Sequence, residues 1–326
     1  MSSYAGALVG TGSYITVKNA LAAIGAITSL KILIKFIRFV YSLIRGHFLP
    51  RFTRTSVLQH GKWAVVTGCT DGVGRAYARE LARRGCSMVL ISRSQQKLDD
   101  FAGELRHEFG SEVVTVAADF SQGRQVYGPI EEKTRGLDIG ILVNNVGVML
   151  PYPMRHADVS EEDVWRHVLV NVAPAAALSR LVLPGMVARG RGAVVNISSS
   201  SAIGPMPHMN IYSASKKFLE YFSRALAAEY RPYGVTVQTV MPFYIATNMT
   251  SYSDKIGRAN LFVPDAPTFA DSCVRTLGRL ESTTGYWTHE LQYFVCSNVP
   301  SWLWMSLGEE LQKELRRDAI GKQKSS

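Results

Sequence analysis

Short hydrophobic runs alternate with longer segments of helical periodicity through most of the chain. The runs predict buried strands over residues 63–67, 87–92, 113–117, 139–143, 193–197 and 235–240. The segments between them predict helices over residues 74–84, 95–109, 161–187 (two helices around Pro174) and 212–230. Buried strands separated by helices are typical of a parallel sheet covered on both faces. We therefore expect an α/β fold, a Rossmann-type doubly wound parallel sheet, in a single domain over residues 61–300.

The first 60 residues show a different pattern, which predicts a helical extension followed by a linker. Residues 1–18 have little pattern, residues 19–30 carry no charge, and residues 31–45 combine a narrow basic stripe with a wide apolar surface. A helix of this composition can lie in a membrane interface, so we expect membrane surface contact through residues 19–45. The alternative is a helix that packs on the body of the protein or on a dimer partner.

The chain also becomes less regular after the sixth predicted strand. Residues 264–280 predict a helix, and residues 285–296 could supply a last strand. Residues 301–326 predict a C-terminal helix and a basic tail. In that tail, Lys322 and Lys324 resemble a dilysine retrieval signal of the endoplasmic reticulum.

The formal net charge of +10 is spread unevenly along the chain. Asp71 is the first acidic residue, and eight basic residues precede it, so residues 71–326 are nearly neutral. This distribution argues against a nucleic-acid partner for the main domain. An acid-free, basic N-terminus resembles a mitochondrial targeting sequence, so we expect the mitochondrion, with the endoplasmic reticulum membrane as the alternative. The four cysteines have neither disulfide nor zinc spacing, and we expect no metal site.

A glycine-rich loop, TGCTDGVG, connects the first predicted strand to the first predicted helix. Its glycines permit a tight turn and let a pyrophosphate approach backbone N–H groups at the start of the helix. The spacing Gly-x-x-x-Gly-x-Gly differs from the commonest dehydrogenase fingerprint. The loop nevertheless predicts a dinucleotide site, whose candidate residues are Gly68, Thr70, Asp71, Gly72, Val73 and Gly74.

Further candidate cofactor residues follow the next strands. Arg93 ends the second strand where an acidic residue would bind an NAD ribose, so NADP(H) is favoured, although Arg93 could simply face solvent. Asp119 follows the third strand, where it could accept a hydrogen bond from the adenine amino group or only form a turn. Asn145, in NNVG after the fourth strand, could border the nicotinamide ribose.

Tyr212 and Lys216 are the strongest candidates for catalysis. They are four residues apart at the head of a predicted helix, which places them on one face. A nearby cation lowers the pKa of a phenol from ~10, as a general acid/base near neutral pH requires. The alternative is an ordinary surface pair. One of the four serines in 198–201 could donate to a substrate carbonyl, and Asn171 is the remaining polar candidate.

In order and spacing, TGCTDGVG, Arg93, NNVG, Asn171, NISS and YSASK resemble the short-chain dehydrogenase/reductase superfamily over residues 61–300. The family's serine lies 13 residues before its tyrosine, which selects Ser199 here. The resemblance implies that Tyr212 is the general acid/base and that Lys216 lowers its pKa and binds the nicotinamide ribose. It further implies that Ser199 polarises the substrate carbonyl and that Asn171 anchors a water in a proton relay. The implied reaction is hydride transfer between NADP(H) and a carbonyl or alcohol carbon.

Within the superfamily, ISRSQQKL, TTGYW and VPSWLW resemble the 17-beta-hydroxysteroid dehydrogenase and very-long-chain 3-ketoacyl-CoA reductase branch. YSLIRGHFLPRF and VGVMLPYP resemble its hydroxysteroid dehydrogenase-like group. This implies a small lipophilic ketone or secondary alcohol, of steroid or 3-ketoacyl type, and a homodimer. Members of that group can carry Phe at the tyrosine position and are then described as inactive, whereas this chain has Tyr212. The alternative is therefore a catalytically weak, nucleotide-binding protein that acts through protein partners.

Overall fold

The computed structural model describes the backbone of residues 3–51, 56–251 and 254–325, and side chains within residues 16–50, 56–251 and 256–321. Its centre is a parallel sheet in the order β3-β2-β1-β4-β5-β6-β7. The strands are β1 Trp63–Thr67, β2 Ser87–Ser92, β3 Val113–Ala117, β4 Ile139–Asn144, β5 Gly192–Ile197, β6 Val235–Val240 and β7 Ser282–Thr283. The expected doubly wound α/β fold is thus confirmed, with six strands where the hydrophobic runs predict them.

Helices cover both faces of the sheet and extend from its two ends. In chain order they are α1 Ser3–Ser42, α2 Gly72–Arg83, α3 Gln95–Phe109, α4 Tyr127–Thr134, α5 Glu161–His167, α6 Ala173–Ala188, α7 Asn210–Tyr230, α8 Asp254–Gly257, α9 Ala266–Arg275, α10 Trp287–Cys296 and α11 Ser301–Ser325. Helices α2, α3 and α9 contribute Leu81, Phe101 and Phe269 to the core on one face. Helices α4, α6 and α7 contribute Ile130, Leu178 and Leu226 on the other.

The strand order reverses between β1 and β4. From β1 the chain proceeds outward to β2 and β3, and then returns to β4 on the other side of β1. In open α/β sheets, ligands bind in the crevice outside the carboxyl ends of the strands at such a reversal. The loops that follow β1 and β4 carry the glycine-rich segment and Asn145, so the fold places both at this crevice.

The strand predicted over residues 285–296 is wrong. The last strand is β7, which has only two residues and pairs with the end of β6, and α10 follows it directly. The Glu290 side chain, in the first turn of α10, accepts hydrogen bonds from Thr283 Oγ1 and Thr284 N, both at 2.9 Å. These contacts join the helix to the sheet edge, and aromatic residues that favour strands locally occupy helical positions instead. Helix α4, between β3 and β4, was not predicted.

The N-terminal helix is longer than its sequence pattern predicts, because α1 includes residues 3–18. Near its C-terminal end it packs on α10, where the Phe39 and Phe294 rings stack at 4.9 Å. Lys35 Nζ donates to Ser297 O at 2.9 Å. The chain then enters the body, where Gly46 and His47 are buried and His47 Nε2 lies 3.7 Å from Glu290 Oε1. The extension therefore packs on the protein at this end, while its earlier part remains exposed.

The C-terminal helix α11 also packs on the body, where Leu315 and Ala319 are buried. Two sequence features fall outside the described residues. One is the segment 52–55 of the predicted linker, and the other is the side chains of Lys322 and Lys324 in the tail.

Candidate active site

The glycine-rich loop forms a tight cradle at the start of α2. Gly68 and Gly72 have φ values of +64° and +51°, a region that favours glycine. A Cβ atom at Gly74 would overlap the Gly68 carbonyl oxygen and Asn145 Nδ2. Asp71 caps α2, because its carboxylate accepts a hydrogen bond from Gly72 N at 2.7 Å. The cradle thus brings backbone N–H groups at the first turn of α2 close to any group that enters the crevice.

Asn145 holds this cradle in place from the neighbouring strand. Its Nδ2 donates to Thr67 O at 3.0 Å and to Gly68 O at 3.2 Å. Its backbone N–H donates to Thr67 Oγ1 at 3.0 Å. Asn145 is therefore a positioning residue for the loop as well as a residue of the site itself.

One cavity of about 720 Å³ runs from the cradle to the head of α7. Its walls include every predicted cofactor and catalytic residue except Asn171, namely Gly68, Thr70, Asp71, Gly72, Val73, Gly74, Arg93, Asp119, Asn145, Ser199, Tyr212 and Lys216. Arg93 is exposed at the cavity edge. Asp119 also forms the turn that its sequence context allows, since its Oδ1 accepts from Ser121 N at 3.0 Å and Ser121 Oγ at 2.8 Å.

Tyr212 and Lys216 lie in the first two turns of α7 and face the cavity. Lys216 Nζ donates to Ile197 O at 3.0 Å and lies 5.7 Å from the centroid of the Tyr212 ring. Burial lowers the pKa of Lys216 to about 8, so its ammonium group remains charged at neutral pH. A Cβ atom at Gly147 would lie 3.2 Å from Lys216 Nζ, so Gly147 leaves room for the ammonium group.

The pKa of Tyr212 differs from the expectation based on the four-residue spacing. Burial raises it to about 12, hydrogen bonding with Ser199 acts in the opposite direction, and the nearby Tyr244 raises it further. Lys216 does not lower the pKa of Tyr212, because burial of the phenol dominates and the ammonium group of Lys216 donates to Ile197 O instead. Tyr212 is therefore a neutral phenol at pH 7, the form that can donate a proton.

Asn171 does not line the cavity. It lies in a π-helical turn, Val168–Val172, between α5 and α6, a break earlier than the one predicted around Pro174. Its Oδ1 accepts from Val148 N at 2.7 Å, and its Nδ2 donates to Val148 O at 2.9 Å and to Ser215 Oγ at 3.0 Å. The Asn171 side chain thus joins the loop after β4 to α7, beside Lys216. Its implied role in a water relay stays a prediction.

Tyr244 and Gln312 also line the cavity, although no motif singled them out. Tyr244 follows β6 in MPFYI, a position at the carboxyl edge of the sheet that could have indicated it. Gln312 comes from α11 and is 3% exposed. No local signal identifies Gln312, because its position depends on how a distant helix packs.

The residues that follow β6, Phe243–Ile245 and Thr247–Ser251, line one side of the cavity, and His289 contacts Phe243 and Phe262. Phe243 N donates to His289 Nδ1 at 3.3 Å, and His289 Nε2 lies 3.2 Å from Phe262 O. Burial lowers the pKa of His289 to about 4, so the ring is neutral and can accept at Nδ1 while it donates at Nε2. Asn248 Nδ2 donates to Asp71 Oδ2 at 2.8 Å, which connects this segment to the glycine cradle.

A cradle of glycines at the topological reversal, with a tyrosine, a lysine and a serine in the same cavity, is the arrangement typical of Rossmann-type dinucleotide-binding oxidoreductases. The chain belongs to the short chain dehydrogenase family, whose model matches residues 62–256. It is 46% identical over 304 residues to "Inactive hydroxysteroid dehydrogenase-like protein 1" of Pongo abelii, covering 93% of this chain and 92% of that protein.

Two further relatives extend this comparison. The chain is 42% identical over 268 residues to the "Very-long-chain 3-oxoacyl-CoA reductase" of Homo sapiens, covering 82% of this chain and 84% of that protein. The solved short-chain dehydrogenase from Sphingobium yanoikuyae, in complex with NADPH, superimposes with a TM-score of 0.61. That structure is 31% identical and covers 68% of this chain and 86% of its own. The resemblance drawn from the motifs is thus confirmed.

Proposed function

We propose that the chain is an NADP(H)-dependent oxidoreductase that transfers a hydride between the nicotinamide and a lipophilic ketone or secondary alcohol of steroid or 3-ketoacyl type. One observation carries this proposal: Ser199, Tyr212 and Lys216 share a cavity with the glycine cradle. The test is the oxidation of NADPH by the full chain in the presence of ketosteroids and 3-ketoacyl thioesters. Turnover with either class supports the proposal.

The residues present fit a nicotinamide dinucleotide. A cradle that a Cβ at Gly74 would fill suits the pyrophosphate, and Arg93 at the cavity edge suits a 2′-phosphate. Asp119 and Asn145 line the cavity where the adenine and the nicotinamide ribose would lie. When bound, the cofactor supplies or accepts the hydride.

The chain's own residues would supply the proton and orient the substrate. Tyr212, neutral at pH 7, donates its proton to the substrate oxygen as the carbonyl is reduced. The Ser199 hydroxyl polarises that carbonyl, and Lys216, charged below pH about 8, stabilises the phenolate that Tyr212 becomes. Asn171 positions the loop after β4 against α7.

The substrate side of the cavity is largely apolar, which supports a lipophilic substrate. Its walls include Met149, Leu150, Met206, Met209, Phe243 and Ile245. Binding of apolar substrate atoms against this surface removes them from water, which favours the complex. One relative is named as a very-long-chain 3-oxoacyl-CoA reductase, which agrees with this chemistry.

A second candidate function follows from the relatives named as inactive. In that case the chain binds nucleotide, turns over no substrate and acts through protein partners. Tyr212 argues against it, because the proton donor is present in the cavity. Binding of NADPH without turnover on either substrate class, in both the parent chain and Tyr212→Phe, would favour this second candidate.

The cofactor proposal predicts a selective effect at Arg93. Arg93→Leu is expected to weaken NADPH binding by about 10–100-fold, because it removes a charged partner of the 2′-phosphate. NADH, which lacks this phosphate, should lose less than about twofold in affinity. Both dissociation constants are measured by fluorescence titration. Arg124→Leu, an exposed arginine outside the cavity walls, is the control, and equal losses for the two cofactors would contradict the assigned role.

We also propose that α1 attaches the protein to a membrane. Residues Thr16–Phe48 are long and apolar enough to cross a bilayer, with mean hydropathy 1.9, and the apolar window is not buried. A second segment, Glu161–Ala188, is also long and apolar, but 44% of its most apolar stretch is buried, as in a core helix. We place the protein in the mitochondrion on the basis of its acid-free basic N-terminus, with the endoplasmic reticulum membrane as the alternative.

Replacement of three exposed apolar residues of α1 by aspartate (Leu21→Asp, Ile24→Asp and Ile27→Asp) is expected to release the protein from membranes. Leu21, Ile24 and Ile27 are each more than half exposed, and a charge near the centre of a bilayer costs about 2.5–3.5 kcal/mol per residue. We expect the triple Asp variant to move to the soluble fraction after carbonate extraction. The control places Asp at Trp165, Tyr221 and Tyr233, which are similarly exposed on the body. Organelle markers in the same fractions identify the compartment, and retention of the α1 variant would contradict membrane attachment through α1.

A further inference from the structure

Helix α1 leaves the body of the protein beyond the C-terminal end of α10. Three contacts join α1 and the turn after it to α10 and its end, namely Lys35 to Ser297, Phe39 to Phe294, and His47 to Glu290. The residue number on the α10 side falls as the number on the α1 side rises, so the two segments run antiparallel. The part of α1 that precedes Lys35 therefore extends past the last turn of α10.

The length of this projecting part sets the depth of the body relative to a bilayer. Residues 16–34 are exposed throughout and rise about 28 Å as a helix, which matches the ~30 Å hydrocarbon core of a bilayer. A bilayer that contains these residues ends near Lys35. Lys35 Nζ donates to Ser297 O at 2.9 Å and to Asn298 Oδ1 at 3.1 Å. The turn between α10 and α11 therefore lies at the boundary between the hydrocarbon core and the headgroups.

This turn and its flanks have the surface that such a position requires. Residues 291–308 carry no charged side chain. Within them, Val295 is 58% exposed, and Trp302, four residues after Asn298, is 69% exposed. Tryptophan is enriched at membrane interfaces, because its ring leaves water there while its N–H still finds a polar partner. An uncharged surface with an exposed indole at the level of Lys35 thus fits the interface of a bilayer.

The polar residues of α1 on either side of Lys35 fit the same depth. Lys31, one turn earlier, reaches the boundary with its long side chain. Arg38 and Tyr41 are exposed and follow Lys35 by about 4.5 Å and 9 Å of helical rise. Arg45 donates a hydrogen bond to the Tyr41 hydroxyl, which brings its guanidinium group to a similar height. Guanidinium groups bind phosphates and tyrosine is common in the aromatic belt, so these residues suit the headgroup layer.

We infer that residues 295–302 form a second membrane contact, a surface of the body that rests on the phospholipid interface with Trp302 inserted among the headgroups. The inference rests on the proposed attachment through α1, which it extends from one helix to the orientation of the whole domain. The body then stands on the C-terminal end of α10. His289, on the same helix, contacts Phe243 of the cavity wall, so this orientation also fixes the height of the cavity above the membrane.

The test measures tryptophan emission of the full chain in vesicles of phosphatidylcholine and phosphatidylglycerol. In half of the samples the phosphatidylcholine carries bromine in the upper part of its acyl chains, where bromine quenches an indole that touches it. Trp302 is one of five tryptophans, so brominated lipid should remove about a fifth of the parent's emission. Trp302→Phe, which keeps an apolar ring, should lose at least about two thirds of that quenching. Val295→Trp should instead add a further quenched emitter.

Two exposed tryptophans elsewhere on the body provide matched controls. Trp287 is 36% exposed and lies on α10 itself, about 12 Å of helical rise from Val295 and away from the turn. Trp165, on α5, is 58% exposed. Trp287→Phe and Trp165→Phe should both retain the quenching seen in the parent. Thermal unfolding of each variant shows whether it is folded.

Three results would overturn the inference: no quenching in the parent, equal quenching in the parent and Trp302→Phe, or a loss in Trp287→Phe as large as in Trp302→Phe. Sedimentation of the same vesicles separates this failure from that of the proposed attachment. A chain that sediments without quenching contradicts only the contact of the body, whereas a chain that stays in the supernatant contradicts attachment through α1 and this contact with it. Oxidation of NADPH by the same samples reports on catalysis independently.

Discussion

Replacement of Tyr212 by phenylalanine is expected to lower the rate of NADPH-dependent ketone reduction by a factor of roughly 10²–10⁴. The variant loses the hydroxyl that donates the proton but keeps the aromatic ring that packs beside Lys216. The dissociation constant for NADPH should therefore stay within about twofold of the parent value, because the cradle around Gly74 is untouched. Steady-state kinetics and fluorescence titration measure the two quantities separately.

Tyr233→Phe provides the matched control, since Tyr233 is 54% exposed and lies outside the cavity walls. Tyr233→Phe should leave both the rate of ketone reduction and the dissociation constant for NADPH unchanged. If Tyr212→Phe retains most of the parent's activity, the proton comes from another group, and Tyr244 would be the first residue to examine.

Gly74→Ala is expected to weaken NADPH binding by at least about 100-fold and to destabilise the protein by about 1–3 kcal/mol. The added methyl group would overlap the Gly68 carbonyl oxygen and Asn145 Nδ2, so the start of α2 must move away from the loop. That displacement separates the backbone N–H groups that the pyrophosphate would bind. Denaturant unfolding measures the stability, and titration measures the affinity.

Gly103→Ala is the control for this prediction, because Gly103 lies within α3 and a Cβ there meets no atom within 4 Å. It should stabilise the protein by up to about 1 kcal/mol, since alanine favours helix over glycine. The two alanine substitutions should thus change the free energy of unfolding in opposite directions. Normal NADPH affinity in Gly74→Ala would show that the cradle is not the pyrophosphate site.

Local patterns in the sequence account for six of the strands and for the cofactor and catalytic candidates that line the cavity. Buried strands appear as short apolar runs, and polar residues just after them reach the carboxyl edge of a parallel sheet wherever the helices pack. Arg93, Asp119 and Asn145 were identified for this reason. Tyr212 and Lys216 share one helix, so their spacing alone places them together.

The features that were missed or wrong depend on tertiary packing. Whether residues 287–296 form a helix is decided by contacts of Glu290 with Thr283 and Thr284, not by local preference. The pKa of Tyr212 depends on how deeply the phenol is buried, which the spacing to Lys216 does not encode. Gln312 reaches the cavity only because α11 folds back over the domain.

The burial of Gly46 and His47 limits how the chain can be trimmed by a processing protease. A Cβ at Gly46 would lie 2.6 Å from Leu280 Cδ1, and His47 lies beside the buried carboxylate of Glu290. A cut after His47 would remove both residues and leave that buried carboxylate without its imidazole neighbour. Cleavage within the exposed part of α1 would leave these contacts intact. Any proteolytic shortening that preserves these contacts must therefore leave an N-terminus that lies before Gly46.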